Sequence, residues 1–203
     1  MAPIKVIIAG AGGRGTGYAQ YAKMYPDRMA VVGVAEPREF FRNRLVDEFN
    51  IPTENVFTDW KDMAAKPKFA DAVIIATQDA MHEEPAIAFA NLRYAMLLEK
   101  PMAPTVEACE NIIKAVKAND IPFAVGHVLR YTAFSRKMKE IIDSGAIGDV
   151  IGMDRVEPVG FWHQGHSFVR GNWGNTEKSS FMLLAKSCHD IDWIHYMMGV
   201  DCT

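Results

Sequence analysis

The most informative stretch of the chain is Val6-Ile7-Ile8-Ala9-Gly10-Ala11-Gly12-Gly13-Arg14-Gly15, an apolar run that ends in Gly-x-Gly-x-x-Gly where helical periodicity begins. Gly10 permits a tight turn out of a strand, Gly12 lets the backbone approach phosphates, and Gly15 lets the following helix pack closely on the sheet. The free N–H groups and the positive dipole end of that helix then face an anion. The stretch predicts a strand, turn and helix that bind the pyrophosphate of a dinucleotide, with Gly13 and Arg14 in the same loop.

A second apolar run, Met29–Ala35, is followed by Glu36, about 20 residues beyond the glycines, where a ribose-binding acid belongs. A carboxylate there accepts hydrogen bonds from the adenosine ribose and repels a 2′-phosphate, so it favours NAD over NADP. Two alternatives stay open. Glu36 can compensate the dipole of a helix that begins after Pro37, and Arg38 or Arg42 can hold a 2′-phosphate. NAD is therefore the predicted cofactor and NADP the second choice.

Composition and charge are those of an ordinary globular protein. The chain has 203 residues, of which 49% are hydrophobic, and a formal net charge of -3. That charge gives no reason to expect a nucleic acid or an acidic membrane surface as partner. No apolar run approaches the ~20 residues of a membrane span, and no basic leader precedes the first strand. We therefore expect a cytoplasmic protein with no nucleic-acid or membrane partner.

Cysteine usage indicates reduced thiols. Cys109, Cys188 and Cys202 are far apart and form no Cys-x-x-Cys pair, so neither a disulfide framework nor a structural zinc site is expected. Cys188 lies beside His189, which leaves a cysteine nucleophile open as an alternative.

Strand-like and helix-like segments alternate through the first 125 residues, which predicts an α/β fold with a doubly wound parallel sheet of the Rossmann type. Beyond the first two strands, the expected strands cover residues 56–57, 72–76, 95–98 and 122–125. The expected helices cover residues 38–49, 60–65, 81–92 and 105–118, the last with Thr105 as N-cap. Residues 1–125 are the predicted cofactor-binding domain.

The character of the sequence changes near Arg130. The pattern predicts a helix over 131–143 closed by Ser144-Gly145, a strand over 150–156, loop-like chain over 157–178, and an amphipathic helix over 187–198 that ends at Gly199. Residues 126–203 are therefore expected to hold a connecting helix and only the start of a second domain.

Two strand ends carry polar residues that suit a cofactor site. Glu99-Lys100-Pro101 follows the fifth strand directly, at the carboxyl end of the sheet, where open α/β sheets bind ligands. A partly desolvated lysine beside a positively charged nicotinamide suits proton transfer, and a solvated lysine on a turn is the equal alternative. Ala76-Thr77-Gln78-Asp79 ends another strand, and His82 beyond it approaches the cofactor or serves as a helix cap.

Histidines in the second half are further candidates. His189-Asp190-Ile191-Asp192 opens the last predicted helix, where the residues alone allow a helix-start histidine and aspartates that compensate the helix dipole. His163 and His166 have a glycine, Gly165, between them and no organised third ligand, so no metal site is predicted. Trp162, His163 and His166 are better candidates for contacting a sugar-like substrate from a long loop.

With these motifs placed, the sequence resembles the glucose–fructose oxidoreductase / inositol dehydrogenase / MocA family over essentially all of its length. Three motifs carry the resemblance: Gly10-Ala11-Gly12-Gly13-Arg14-Gly15 with Glu36, Glu99-Lys100-Pro101-Met102, and Ser187-Cys188-His189-Asp190-Ile191-Asp192. The strand end at Ala76-Thr77 with His82 is similar to the family, and so is Arg130-Tyr131 followed by the turn Ser144-Gly145-Ala146-Ile147-Gly148.

The resemblance implies a Rossmann domain followed by an α/β domain with a large open sheet, together oxidising or reducing sugars, polyols and their derivatives. Carried over by position, Lys100 binds the substrate hydroxyl and assists proton transfer, and His189 is the principal acid/base. The cofactor side also takes in Thr77, Gln78, His82, Glu99, Lys100, Pro101 and Arg130.

Two departures from the family pattern bear on the substrate side. Many members have an aspartate four residues before the histidine, where this chain has Ala185, and the adjacent Lys186 is a candidate substitute. Members are generally much longer than this chain, which ends just after the His189 helix. We therefore expect the 203 residues to bind dinucleotide without oxidising sugars, and the full-length form to be a homo-oligomer.

The predicted function is hydride transfer between NAD(H) and a sugar, polyol or related derivative. One alternative is a redox-assisted glycoside hydrolase that uses NAD transiently. Another is a non-catalytic binding protein that senses a nucleotide, which the fold alone never excludes.

Overall fold

A computed structural model describes residues 2–175 and 179–200. The chain divides into two compact units, Met1–Gly126 and His127–Thr203. Cys202, named among the thiols, and residues 176–178 of the predicted loop lie outside the described residues. In the described part, no helix combines the length and hydropathy needed to cross a membrane.

The first unit is built on a parallel sheet. Its strands are β1 Ile4–Ala9, β2 Met29–Ala35, β3 Val56–Phe57, β4 Ala72–Ile75, β5 Ala95–Leu98 and β6 Phe123–Val125. They are hydrogen-bonded in the order β3-β2-β1-β4-β5-β6, and every pair is parallel. This is the strand order of dinucleotide-binding sheets, in which a ligand crevice forms where the order reverses, between β1 and β4. The predicted doubly wound parallel sheet is confirmed.

Helices cover both faces of this sheet. They are α1 Gly13–Met24, α2 Glu39–Phe49, α3 Trp60–Ala65, α4 Glu83–Asn91 and α5 Val106–Asn119. Thr105 caps α5 as predicted, because its hydroxyl accepts a hydrogen bond from the Ala108 N–H at 3.2 Å. The helix predicted over 81–92 is instead a 3-10 turn, Asp79–Met81, followed by α4.

Alternation along β1 divides the core between the two faces. Val6 and Ile8 pack in a cluster with residues of α1 and α2, whereas Ile7 and Ala9 pack in a cluster with residues of α4 and α5. All four side chains are at most 4% exposed. Burial on both faces explains why the strands of this unit are continuous apolar runs.

The second unit is helical in its described residues. Its helices are α6 Ala133–Asp143, α7 Phe161–His163 and α8 Met182–Met198, and a π-helical stretch over Gln164–Val169 continues α7. Gly145, at φ +71°, follows the end of α6, and Gly199, at φ +68°, ends α8, as the turn signals predicted. The loop predicted over 157–178 is wrong where these helical turns occur.

The strand predicted over 150–156 is wrong. The chain from 148 to 160 has no regular secondary structure, although exposure alternates along 153–160 as in an extended strand. A period-two pattern is a local property, but a strand also needs a neighbour for its backbone groups. Ile151 is 100% exposed and Val156 is 80% exposed, so neither of these apolar side chains of the predicted strand is buried in the described structure.

The last helix begins earlier than predicted. It starts at Met182 rather than Ser187, because Met182-Leu183-Leu184-Ala185-Lys186 is a run of strong helix formers. His189 therefore lies in the middle of α8 rather than in its first turn. The interpretation of His189 as a helix-start histidine is overturned.

Candidate functional site

The ends of neighbouring strands bring the predicted cofactor residues to one edge of the sheet. The backbone ladder extends one residue past the strands, where the N–H groups of Gly10, Glu36, Ala76, Glu99 and Gly126 donate to carbonyls of the adjacent strands. The glycine loop, the acid after β2 and the Glu99-Lys100-Pro101 motif are therefore held side by side by backbone hydrogen bonds. This edge is the carboxyl end of the sheet, where open α/β folds bind ligands.

The glycine loop is shaped by two steric requirements. Gly10 adopts φ +96°, and a Cβ there would lie 2.5 Å from the carbonyl oxygen of Ala76. A Cβ at Gly15 would overlap the carbonyl oxygen of Gly10, so the start of α1 can pack here only without a side chain. At Gly13 a Cβ would meet nothing within 4 Å. The loop is thus closed towards the sheet and open on its outer side, which fits a pyrophosphate lying against the backbone at the start of α1.

The Glu36 carboxylate already receives four hydrogen bonds from the protein. Its Oε1 accepts from the backbone N–H and the Nε of Arg38 at 3.0 and 2.7 Å, and its Oε2 accepts from the Ala11 N–H at 2.8 Å and Arg38 Nη2 at 3.0 Å. Burial raises the pKa of Glu36, but the hydrogen bonds from Arg38 and Ala11 outweigh it and hold the pKa below its ordinary value. Because a carboxylate offers about four lone-pair sites, ribose hydroxyls can bind Glu36 only if the Arg38 guanidinium gives way.

Arg38 is the movable member of this pair. Its side chain is 56% exposed, against 3% for Glu36, and its guanidinium lies 4.2 Å from the centre of the Phe41 ring. Arg42 is held differently, because its Nη1 donates to the backbone carbonyls of Glu36 and Pro37 at 2.7 and 3.2 Å. Arg38 is therefore the arginine that covers the acid, and the sequence alone did not distinguish it from Arg42.

A second buried acid, Glu99, ties α1 to the end of β5. Its Oε1 accepts from Arg14 Nε at 2.9 Å and from the Tyr18 hydroxyl at 2.6 Å, and its Oε2 accepts from the Lys100 N–H at 3.1 Å. Burial, together with the bond to the negative Glu99, raises the pKa of Tyr18 to about 12. Sequence reasoning missed Tyr18, although its spacing of four from Arg14 on one helix is a signal for a shared face.

The buried side chain of His82 contacts the loop that carries Lys100. The His82 ring is fully buried, with Nδ1 2.9 Å from the Pro101 carbonyl oxygen and Nε2 3.3 Å from that of Thr77. The Lys100–Pro101 peptide bond is cis. Carbonyls only accept, so the tautomer protonated at Nδ1 donates to Pro101. In this tautomer Nε2 carries no proton, so His82, in the turn after β4, holds the end of β5 through the Pro101 carbonyl alone. Gln78, at the same edge, is exposed.

In the second unit, Arg130 and His127 lie beside Asp192, and His127 also meets His189. Arg130 Nε donates to Asp192 Oδ2 at 2.8 Å, and Nη2 donates to Oδ1, which makes a two-bond pair. His127 Nδ1 lies 3.9 Å from Asp192 Oδ2, and the His127 ring meets the His189 ring edge-on with centroids 5.9 Å apart. The Asp192 pair raises the pKa of Arg130. Sequence reasoning missed His127 and read Asp192 only as compensation of the helix dipole.

Lys186 lies one turn before His189 on α8 and is paired with an acid from the irregular segment. Its Nζ is 2.8 Å from Glu157 Oε1. Arg155 Nη2 lies 3.1 Å from Glu157 Oε2, and Arg155 Nε lies 3.0 Å from Asp190 Oδ1. Ala185, where an acid was expected, is 3% exposed. Neither Arg155 nor Glu157 was a candidate from sequence, although their spacing of two places them on one face of extended chain.

The predicted substrate aromatics form a stacked group. The Trp162 and His163 rings stack with centroids 5.4 Å apart, and Phe168 lies 5.9 Å from His163. Trp162 is 69% exposed, and His166 is exposed as well. Within the described residues, no group of three or more His, Cys, Asp or Glu side chains is placed to hold a metal ion.

Comparison with known proteins agrees with this geometry. A model of an oxidoreductase family with an NAD-binding Rossmann fold matches residues 4–127. Inositol 2-dehydrogenase 2 from Saccharopolyspora erythraea is 30% identical over 131 residues, which are 64% of this chain and 35% of the relative. The 2,7-anhydro-N-acetylneuraminate hydratase from Mediterraneibacter gnavus is 24% identical over 189 residues, which are 91% of this chain and 48% of the relative.

Solved structures share the fold. The scyllo-inositol dehydrogenase from Lactobacillus casei, solved with bound NAD(H) and scyllo-inositol, has a TM-score of 0.81 at 24% identity, over 97% of this chain and 56% of that one. At that identity the likeness concerns the fold. The chain spans about half, or less, of the length of the curated relatives it matches.

Proposed function

The chain belongs to the glucose–fructose oxidoreductase / inositol dehydrogenase / MocA family, whose Rossmann fold binds NAD, and on that basis we propose that it is the cofactor-binding part of an NAD(H)-dependent oxidoreductase. The proposed substrate is a sugar, a polyol or a related derivative. The names of several relatives, inositol and xylose dehydrogenases among them, support this substrate class.

One observation carries the proposal: the carboxyl edge of the sheet holds the glycine loop, Glu36 and the Glu99-Lys100-Pro101 motif side by side through backbone hydrogen bonds. The open outer side of the loop at Gly13 and its closed inner side at Gly10 and Gly15 suit a pyrophosphate. NAD, when bound, supplies the hydride acceptor or donor. Gly10, Gly12, Gly13, Arg14 and Gly15 are the proposed phosphate-binding residues.

The remaining cofactor contacts are proposals of the same kind. Glu36 binds the adenosine ribose once Arg38 has moved, and Thr77, Gln78, Glu99 and Pro101 border the same edge. His82 contributes by holding Pro101 in place, since its buried ring donates from Nδ1 to the Pro101 carbonyl. Arg130 is proposed on the cofactor side through its position in the family pattern.

His189 and Lys100 are the proposed proton-handling residues. When the alcohol is oxidised, His189 takes the hydroxyl proton, and when the ketone is reduced it returns that proton. Lys100 binds the same hydroxyl and assists the transfer. Trp162, His163, His166 and Lys186 are proposed to contact the substrate, and an exposed aromatic ring such as Trp162 suits the apolar face of a sugar.

The wider organisation follows the same proposal. Residues 1–125 are the cofactor domain, and residues 126–203 are a connecting helix and the start of a substrate domain. We propose that the full-length form is cytoplasmic and is a homo-oligomer. Light scattering on the purified protein can test the oligomeric state.

The test is substrate-dependent NADH formation by the protein expressed from the complete reading frame in which these residues lie. A panel of sugars and polyols should include a substrate that reduces NAD. With that substrate, Lys100→Met and His189→Ala should each lower kcat about a hundredfold or more, because each removes a proton-transfer group, while leaving NADH affinity nearly unchanged.

The matched control is His195→Ala, on α8 but with no role in the proposal, which should keep most of its turnover. A His189→Ala enzyme with near-normal kcat would remove this residue from the mechanism. Tightly retained NAD with product but no net NADH would instead favour transient oxidation of a glycoside, and NADH binding without turnover of any substrate would favour a sensor.

A further inference from the structure

Four charged side chains surround one face of α8 next to His189. Lys186 Nζ lies 2.8 Å from Glu157 Oε1, Arg155 Nη2 lies 3.1 Å from Glu157 Oε2, and Arg155 Nε lies 3.0 Å from Asp190 Oδ1. The four form a chain of alternating charge in which Glu157 is bonded on both oxygens by cations. The side chains of the Glu157–Lys186 pair are only 31% and 22% exposed, so water screens this pair incompletely.

Two of the four groups, Lys186 and Asp190, are on α8 itself, and Arg155 and Glu157 reach it from the irregular segment. Lys186 precedes His189 by three residues, and such neighbours share a helix face. Asp190 directly follows the histidine. Glu157 belongs to the irregular segment 148–160, so the carboxylate reaches α8 from another part of the chain rather than from within the helix.

Glu157 lies on the side of α8 that carries His189, because it is bonded to Lys186, three residues before the histidine on the same helix face. The hydrogen bond from Lys186 lowers the pKa of Glu157, burial opposes it, and the charges of Lys186, Arg155 and His189 lower it further. Glu157 is therefore ionised at neutral pH. Because coupling between two titrating sites is reciprocal, the Glu157 charge favours the protonated form of His189 to the same degree.

We propose that Glu157 is a positioning residue for His189: it fixes Lys186 beside the imidazole and supplies the negative charge that favours the imidazolium. The proposal rests on the proposed role of His189 in proton transfer. When the alcohol is oxidised, the hydroxyl proton goes to the imidazole, and the carbon that bears the hydroxyl gives its hydride to NAD. A nearby carboxylate favours the imidazolium that results, which makes His189 the stronger base.

Other titratable and charged groups also lie near the His189 imidazole. The His127 ring faces His189 edge-on, and Asp192 lies 3.9 Å from His127. Lys186 opposes Glu157, since a cation disfavours the imidazolium. Glu157 therefore raises the pKa of His189 and Lys186 lowers it. An ion pair with a purely structural role, too far from the histidine to interact with it, would leave that pKa unchanged.

The direct test is an NMR titration of the histidines in the 203-residue chain, with the His189 signal assigned by its loss in His189→Gln. Glu157→Gln keeps the side-chain shape and removes the charge. It should lower the pKa of His189 by about half a unit or more. The control is Glu140→Gln on α6, an exposed acid paired with Lys137, which should leave the His189 titration unchanged.

Lys186→Met is the second variant, and it keeps the proposal falsifiable if Glu157→Gln does not fold. It removes a cation beside His189 and should raise the His189 pKa. An unchanged or oppositely shifted pKa in either variant would overturn the proposal. These readouts need no turnover, so they succeed or fail independently of the dehydrogenase assignment.

The pH dependence of turnover by the complete protein tests the functional consequence. Glu157→Gln should move the acidic limb of the kcat/KM profile to lower pH in step with the His189 shift and lower kcat at the optimum, with the KM for NAD unchanged. Glu157→Asp should recover part of the loss. A stability loss with an unmoved pH profile would reduce Glu157 to a structural contact.

Discussion

Residues 2–126 and residues 127–200 hold their candidate site residues by different means. In the first range the residues follow buried parallel strands, and the backbone ladder fixes Gly10, Glu36 and Glu99 one residue beyond the strand ends. In the second range, ion pairs connect α8 to chain without regular structure, as in Lys186–Glu157 and Arg155–Asp190. The comparison teaches that the first site depends on steric fit and the second on charge. Substitutions that add volume should therefore destabilise the first site, and high salt should weaken the ion pairs that hold the second.

The largest effect should come from Gly15→Ala. A Cβ there overlaps the Gly10 carbonyl oxygen, so either the glycine loop or the start of α1 must shift. We expect the free energy of unfolding to fall by about 3 kcal/mol or more, independently of salt, together with loss of NADH binding. Chemical denaturation followed by circular dichroism measures the loss.

Gly13→Ala is the control in the same loop. A Cβ at Gly13 meets nothing within 4 Å, and Gly13 opens α1, so this variant should be as stable as the native chain or more stable by about 0.4–1 kcal/mol. Equal destabilisation by both variants would show that the loop is not sterically fixed.

A smaller effect, about tenfold in relative affinity, is expected for Arg38→Gln. The change removes the guanidinium that occupies Glu36 and is the nearest cation for a 2′-phosphate. NADPH should bind more weakly while NADH binds as well as before or better, as judged by quenching of tryptophan fluorescence. Arg42→Gln, which removes donors to backbone carbonyls only, should leave the ratio unchanged. A ratio that responds to Arg42 and not to Arg38 would reverse the assignment.

The smallest effect concerns the second range. Arg130→Met removes the two-bond pair with Asp192 and should cost about 1 kcal/mol at low salt, since the Arg130 side chain is 34% exposed and such pairs are screened. The difference from the native chain should shrink at 1 M salt, where the Debye length is about 3 Å. Arg136→Met, whose guanidinium lies 5.9 Å from the centre of the Tyr131 ring, is the matched control. A cost that persists at high salt would mean that packing, not charge, holds this region.

The first range could be predicted largely from sequence, because its information is local. Buried parallel strands are continuous apolar runs, and the residue after each run must lie at the carboxyl edge, which placed Gly10, Glu36 and Glu99 correctly. Which side chain fills the space beside Glu36 is a matter of rotamers and competition among donors. The pattern therefore did not distinguish Arg38 from Arg42. It also left open whether His82 approaches the cofactor or serves as a helix cap, and the structure places this buried residue at the N-cap position of α4.

The second range was predicted less well because its structure depends on partners. Residues 150–156 are predicted as a strand, but strand pairing requires a neighbour that no local pattern contains. The predicted start of α8, at Ser187, is too late because the preceding run, residues 182–186, is already helical. Glu157 could not be connected with His189 at all, since the two are far apart in sequence and meet only through the fold.

The most direct test of the central claim is a titration of the 203-residue chain with NADH and with NADPH, followed by quenching of its tryptophan fluorescence. The claim is that the sheet edge around the glycine loop and Glu36 is an NAD site. NADH should bind, and about tenfold more tightly than NADPH, because Glu36 accepts hydrogen bonds from the ribose and repels a 2′-phosphate. Absence of dinucleotide binding, or NADPH binding as tight as that of NADH, would contradict it.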